Sequence, residues 1–321
     1  VIADVALVVV AVLAATLGPR LLQRSTSIER SPWVGIVLWQ SLSVSAVAAV
    51  VLTGAALALP AVPLSNDLAA LLSACGAALR AQYETPGGAA ASATGAVLAV
   101  SVLGRVIYCL AAEVALARSQ RARLRRSLLI LAQTDPCTGA LVLEHDAPVA
   151  YCVPGHGGRV VMTSAALDTL RPDELEAVMA HERAHLVARH HLVLAVSRAL
   201  ARAFPGVPVF RDAHVALTRL VEMHADDVAA SCNERLSIAT AVVRMAESKA
   251  PAAALGAGGP TSVARVRRLL APADPLRASG VAAALVIAAV LVLAPLGILA
   301  APAVVAATAD LCPIDFPTDT V

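Results

Sequence analysis

Residues 172–204 read PDELEAVMAHERAHLVARHHLVLAVSRALARAF, and inside them His181-Glu182-Arg183-Ala184-His185 forms an HExxH pattern. Pro172 suits a first helical turn, and Asp173, Glu174 and Glu176 favour the positive end of a helix dipole. Asp168 or Thr169 is available as a cap. The spacing predicts one helix from Pro172 to about Phe204, stopped by Pro205-Gly206. On a helix, positions i and i+4 share a face about 6 Å apart along the axis, so both imidazoles reach one ion. Glu182 sits about 100° round from His181, where it faces a water beside that ion without ligating.

Hydrolytic zinc needs a third protein ligand and an open position for water. His191 would complete HExxHxxAxxH, a spacing that works only if the helix breaks, usually at a glycine, and Ala188 stands there instead. In an unbroken helix His191 lies about 15 Å beyond His181 and off its face, so it does not reach. Its neighbour His190 reads as solvated surface. Glu222, in Glu222-Met223-His224-Ala225-Asp226, lies on a second helix predicted over 211–231 and gives the His₂Glu set of hydrolytic zinc. Asp226, one turn later, is placed to accept the free N–H of a ligand histidine. His224 points away from Glu222 and reads as surface. The expected metal ligands are therefore His181, His185 and Glu222, with Glu182 as the general base and Asp226 supporting a ligand.

The rest of the chain is apolar. Of 321 residues 58% are hydrophobic and 15% charged, and the mean hydropathy is +0.75, a balance that points to lipid. Four stretches are long enough to cross a bilayer: about 2–17, 33–57, 93–117 and 280–300. The first is short and carries Asp4; it reads as an anchor, with a cleaved signal peptide as the alternative. Arg20, Arg24 and Arg30 follow the first stretch, and Arg118, Arg121, Arg123, Arg125 and Arg126 follow the third. Arg265, Arg267, Arg268 and Arg277 precede the fourth, whereas the 58–92 loop has only Arg80. The positive-inside rule then places loops one and three in the cytoplasm and both termini outside. Lys249 is the sole lysine, an arginine bias that fits a GC-rich bacterial genome and hence the bacterial inner membrane. A net charge of +2 with no basic stripe argues against direct nucleic-acid binding.

The third loop is long enough for its own core. Residues 141–144, 148–153 and 159–162 read as a small antiparallel sheet, and further helices are expected over about 236–249 and 262–270. Residues 251–260 form a flexible connector. The six cysteines form no CxxC pair, which argues against a cysteine–zinc site. Cys75 and Cys312 are the two placed outside, where a disulfide can form.

The HExxH, the ExxAD of Glu222 to Asp226 and the later Arg265-Val266-Arg267-Arg268-Leu269-Leu270 resemble the gluzincin membrane peptidases. In the HtpX and CAAX-prenyl-protease branch, transmembrane helices lie between the two motifs. Here residues 186–221 contain Arg198, Arg202, Pro205, Pro208 and Arg211 and leave no room for a span. Both motifs in one cytoplasmic loop are similar to the BlaR/MecR antirepressor peptidases, although the chain carries no penicillin-binding sensor domain and no SxxK motif after the fourth span. The resemblance implies an α-helical membrane protein with four transmembrane helices and a cytoplasmic α+β zincin-like domain between the third and fourth. The expected organisation is a membrane region over 1–117, a zinc metallopeptidase domain over 118–278, a fourth span over 279–300 and a short tail over 301–321. The implied activity is hydrolysis of peptide bonds in cytoplasmic or membrane-proximal proteins, in signalling such as cleavage of a BlaI-like repressor. Quality-control proteolysis of the HtpX kind, or a non-catalytic zinc-binding transducer, is the alternative.

Overall fold

The computed structural model describes residues 2–59, 77, 80–81, 83–136, 138–155, 157–247, 260–271 and 274–309. Four of its helices are apolar and long enough to cross a bilayer by length and composition. They are α1 (Ile2–Arg24), α3 (Pro32–Ala58), α4 (Gly88–Leu131) and α11 (Ala278–Ala309), with the short α2 (Ser27–Arg30) between the first two. Each is longer than its apolar stretch. The expected segment 93–117 is the middle of a 44-residue helix, about 66 Å long at 1.5 Å per residue. Its continuation through Arg118 to Arg126 is mostly arginine with Gln120, Ala122 and Leu124, good helix formers, and Ser119, with no glycine or proline among them.

Helices α3 and α4 touch backbone to backbone. A methyl group added at Gly54 would lie 2.6 Å from the carbonyl oxygen of Gly95, and one at Gly95 would lie 2.5 Å from that of Gly54. Lacking a side chain at both positions is what permits the approach.

Helix α4 runs directly into β1 (Ala132–Thr134), followed by β2 (Leu141–Leu143), β3 (Ala150–Val153) and β4 (Arg159–Thr163). The sheet order is β1-β2-β4-β3. The pair β3–β4 is antiparallel, as expected; β1, not expected from the sequence, also pairs antiparallel with β2, but β2 and β4 are parallel. The hairpin β3–β4 folds so that its second strand meets β2 and its first becomes the outer edge. Thr163 fastens that crossing, its hydroxyl donating to Ala147 O and accepting from Val149 N–H, both at 2.9 Å.

Then come α5 (Ser164–Thr169), α6 (Pro172–Val187), α7 (His190–Ala203), α8 (Pro208–Ala229), α9 (Arg235–Glu247) and α10 (Pro260–Leu270). Asp168 and Thr169 belong to α5 and do not cap α6. Instead the buried Glu174 closes the first turn, accepting from Arg171 N–H at 3.0 Å and pairing with Arg244. The connector 251–259, together with Cys75 and Cys312, lies outside the described residues.

The single helix expected over 172–204 is two helices. The chain breaks at Ala188–Arg189, where Arg189 adopts left-handed backbone at φ 51° and ψ 39°. For a residue with a Cβ that conformation costs about 1–2 kcal/mol. The compensation lies in α7 and α8, which form a hairpin whose Leu200, Phe210, Leu217 and Leu220 share one core with Ala14, Trp39, Leu42 and Ala46 of α1 and α3. Full burial of one such side chain stabilises by about 1.5–3 kcal/mol, so several of them outweigh the strained residue. Arg105 of α4 donates to Ala203 O, and Arg202 pairs with the buried Glu113. The segment between the two motifs contains no span, as expected, yet it is docked on the apolar helices.

Gly95→Val should push α3 and α4 apart. Overpacking of this kind costs about 1–3 kcal/mol, so the thermal midpoint of the purified protein in detergent should fall, whereas Gly104→Val, which faces open space, should leave it nearly unchanged.

Candidate metal centre

His181 and His185 project from α6 one turn apart, and their Nε2 atoms face each other at 3.1 Å. Glu222, from α8, closes the triangle: Oε2 is 3.6 Å from His181 Nε2 and Oε1 is 3.5 Å from His185 Nε2. The three residues offer ligand atoms that all lie within 4.8 Å of one another, and among the described residues they are the only such group of three or more His, Cys, Asp or Glu. A tetrahedral zinc with bonds of about 2.0–2.1 Å places its ligand atoms about 3.3 Å apart. The nitrogens are 3.1 Å apart and each lies 3.5–3.6 Å from one of the two Glu222 oxygens, close to that spacing, and two imidazoles with one carboxylate are the donor set of hydrolytic zinc. The residues fit the ion. His191 is not among them; it faces a separate surface hollow with Pro154 and Leu192.

The triangle forms one wall of an open cleft of about 480 Å³. Glu182 lines it beside His181. Opposite, Ala150, Tyr151 and Cys152 belong to β3, whose outer edge is unpaired in the sheet. The floor is apolar, with Ala177 and Val178 of α6 and Ile238, Ala241, Val242 and Met245 of α9. Burial pushes the Glu182 carboxyl above its ordinary pKa, against the pull of His181. Burial, reinforced by the charge of Glu182, pushes the Cys152 thiol up to about 12, so it stays a thiol.

The two histidines are supported differently. His181 Nδ1 lies 3.0 Å from Asp226 Oδ1, the placement expected for Asp226. Burial disfavours a charged His181 ring, but hydrogen bonds to Asp226 and Glu222 outweigh it and raise the pKa to about 9. Asp226 is in turn gripped by Arg265 of α10, Nε to Oδ2 at 2.8 Å and Nη2 to Oδ1 at 2.7 Å, while Arg265 Nη1 donates to Glu222 Oε2 at 2.9 Å. Burial favours neutral carboxyls at Asp226 and Glu222; the hydrogen bonds from Arg265 and His181 reverse it and hold both below their ordinary values. Around His185 burial prevails, lowering its pKa to about 4 despite Glu222.

Two expectations need correction. His190, read as solvated surface, is buried, and His224, read as surface, is half-buried against it. His190 is 2% exposed; its Nδ1 is 2.9 Å from His185 Nδ1 and its Nε2 2.9 Å from His224 Nδ1. The cause is the break at Arg189, which turns the head of α7 back beneath α6. No glycine or proline announces that break, so the sequence carries no local signal for it. Arg265 stands in the stretch that carries the family resemblance, but its contacts depend on how α10 docks against α8.

A half-buried glutamate beside a His-His-Glu cluster in an open cleft is the arrangement of a metal-dependent hydrolase. Residues 119–273 match the model of Peptidase family M48, a likeness that indicates a metallopeptidase domain in this stretch. Peptidases of that family are typically zinc-dependent. Neither a curated protein nor a solved structure matches the chain.

Arg265→Met should strand the buried Asp226 carboxylate. Removing one partner of a buried pair costs about 3–5 kcal/mol, to be measured by urea unfolding in detergent. Adding Asp226→Asn to the same chain should restore part of that loss, because the unpaired charge is gone.

Proposed function

We propose that the protein is a membrane-embedded zinc endopeptidase in which His181, His185 and Glu222 hold the ion and Glu182 is the catalytic base. The observation that carries this reading is the triangle of ligand atoms with edges of 3.1–3.6 Å beside Glu182. A zinc ion there supplies Lewis acidity that polarises the scissile carbonyl and acidifies a water. Glu182 takes the proton of that water and passes it to the leaving amine; its raised pKa keeps it a competent acid as well as a base. Asp226 Oδ1, 3.0 Å from His181 Nδ1, favours the proton on that nitrogen and so keeps Nε2 free for the ion, and Arg265 holds Asp226 ionised. The unpaired edge of β3 suits an extended substrate segment laid beside it, with one side chain in the apolar floor formed with α9.

The proposed arrangement has four transmembrane helices within 1–117 and 279–300 and the peptidase domain over 118–278 in the cytoplasm, with residues 301–321 on the outer side. The arginines flanking the apolar helices support it. In this arrangement the substrate is a cytoplasmic or membrane-proximal protein. Regulated cleavage of a BlaI-like repressor rests on the placement of both motifs between the third and fourth spans. An HtpX-like quality-control role is the second reading, and the docking of α7–α8 on the apolar helices favours it, since membrane-bound structure between the motifs is what that branch has.

Glu182→Gln should keep zinc and lose cleavage of a casein or repressor panel by a hundredfold or more, the scale of general-base catalysis at about 10²–10⁴. Zinc content measured on the same samples checks the comparison. Equal zinc with no cleavage by wild type would favour the non-catalytic transducer.

A further inference from the structure

The left-handed residue Arg189 has a result that the ligand triangle does not use. It brings His190 back beneath His185, and His190 in turn touches His224 from α8. The rings meet edge-on, with interplanar angles of 83° and 65° and centroids 4.8 and 5.1 Å apart. The contacts are therefore nitrogen to nitrogen in the ring plane rather than stacking.

Each neutral imidazole has one N–H and one lone pair, so the direction of this chain can be worked out. His185 Nε2 faces His181 Nε2 and Glu222 and must present its lone pair if an ion is to bind. Its proton is then on Nδ1 and donates to His190 Nδ1. The His190 proton sits on Nε2 and donates to His224 Nδ1, leaving the His224 Nε2–H for the half-buried side of α8. With the chain reversed, His185 carries its proton on Nε2 and the triangle loses a ligand. Both directions make the two inter-ring contacts, but only the first leaves His185 Nε2 free for the ion.

We propose that His190 is the positioning residue for His185: its Nδ1 lone pair selects the tautomer that turns Nε2 to the metal, and His224 fixes the tautomer of His190. The two ligand histidines are thus oriented by different means, His181 by a carboxylate clamped by Arg265 and His185 by two neutral rings. The inference rests on the metal reading given above.

The test is zinc affinity of the full-length protein in detergent, by competition with a chelator, with apo-protein thermal midpoints and visible spectra of the cobalt-loaded form. His190→Leu keeps the apolar volume and removes the acceptor; zinc binding should weaken about 10–100-fold, as for loss of other such supporting partners. The cobalt spectrum should shift while the apo midpoint stays near wild type. His190→Asn places its carbonyl oxygen where Nδ1 was and should recover most of the affinity. His190→Gln, equally polar but with its oxygen one bond further out, should not, and this pair decides the matter even if the Leu variant does not fold. Wild-type affinity in both Leu and Gln variants would overturn the positioning role, as would equal loss in Asn and Gln. Wild-type protein that binds no zinc at all would overturn the metal reading, and the positioning role with it.

Discussion

Asp226 is a buried carboxylate that the site tolerates only because Arg265 grips both its oxygens. An isolated charge at that depth is strongly unfavourable, and pairing with hydrogen bonds to every oxygen is what keeps it ionised. The same guanidinium reaches Glu222. One side chain from α10 therefore fixes two acidic groups of α8, and through Asp226 it fixes the His181 ring of α6. The geometry of the triangle depends on this three-helix junction more than on any property of the HExxH helix alone. Arginine suits the role because its planar fork binds a carboxylate at two points and has a donor to spare.

Much of the site was legible in the sequence because helical periodicity is short-range. His181 and His185 at i and i+4 must share a face, and Glu222 and Asp226 one turn apart must do so too. The packing of α6 against α8 then needed only to be guessed. What was not legible lies where tertiary packing overrides local preference. Arg189 has no intrinsic reason to adopt left-handed backbone; it does so because Leu200, Phe210, Leu217 and Leu220 reach a shared core only if the chain turns there. His190 and His224 were misread for that single reason. In the sheet, strand positions followed from turn residues and β-rich runs. The parallel pairing of β2 with β4 did not, since it depends on which side of the hairpin meets the earlier strand. Strand β1 was missed because Ala132-Gln133-Thr134 has no alternation to see.

The apolar helices were found as stretches but not as objects. Hydropathy marks where a helix is greasy and says nothing of where it stops, so α4 continues well past its apolar part into β1. With no loop between Leu131 and Ala132, the sheet beside the cleft is joined rigidly to a helix that also touches α3 at Gly54 and Gly95.

The hairpin α7–α8 carries a further implication for what counts as a folding unit. Leu200, Val209, Phe210, Leu217 and Leu220 pack with Val193, Val196 and Phe204 of their own hairpin on one side; the other side of the cluster is Ala14, Trp39, Leu42 and Ala46. The seam therefore couples the α7–α8 hairpin to the apolar bundle, while β4, α6 and α9 beside the cleft have clusters of their own. A fragment beginning after the third apolar helix would lay this greasy seam open to water. Any shorter piece would need something else against that seam, because the apolar helices supply the far side of its interior.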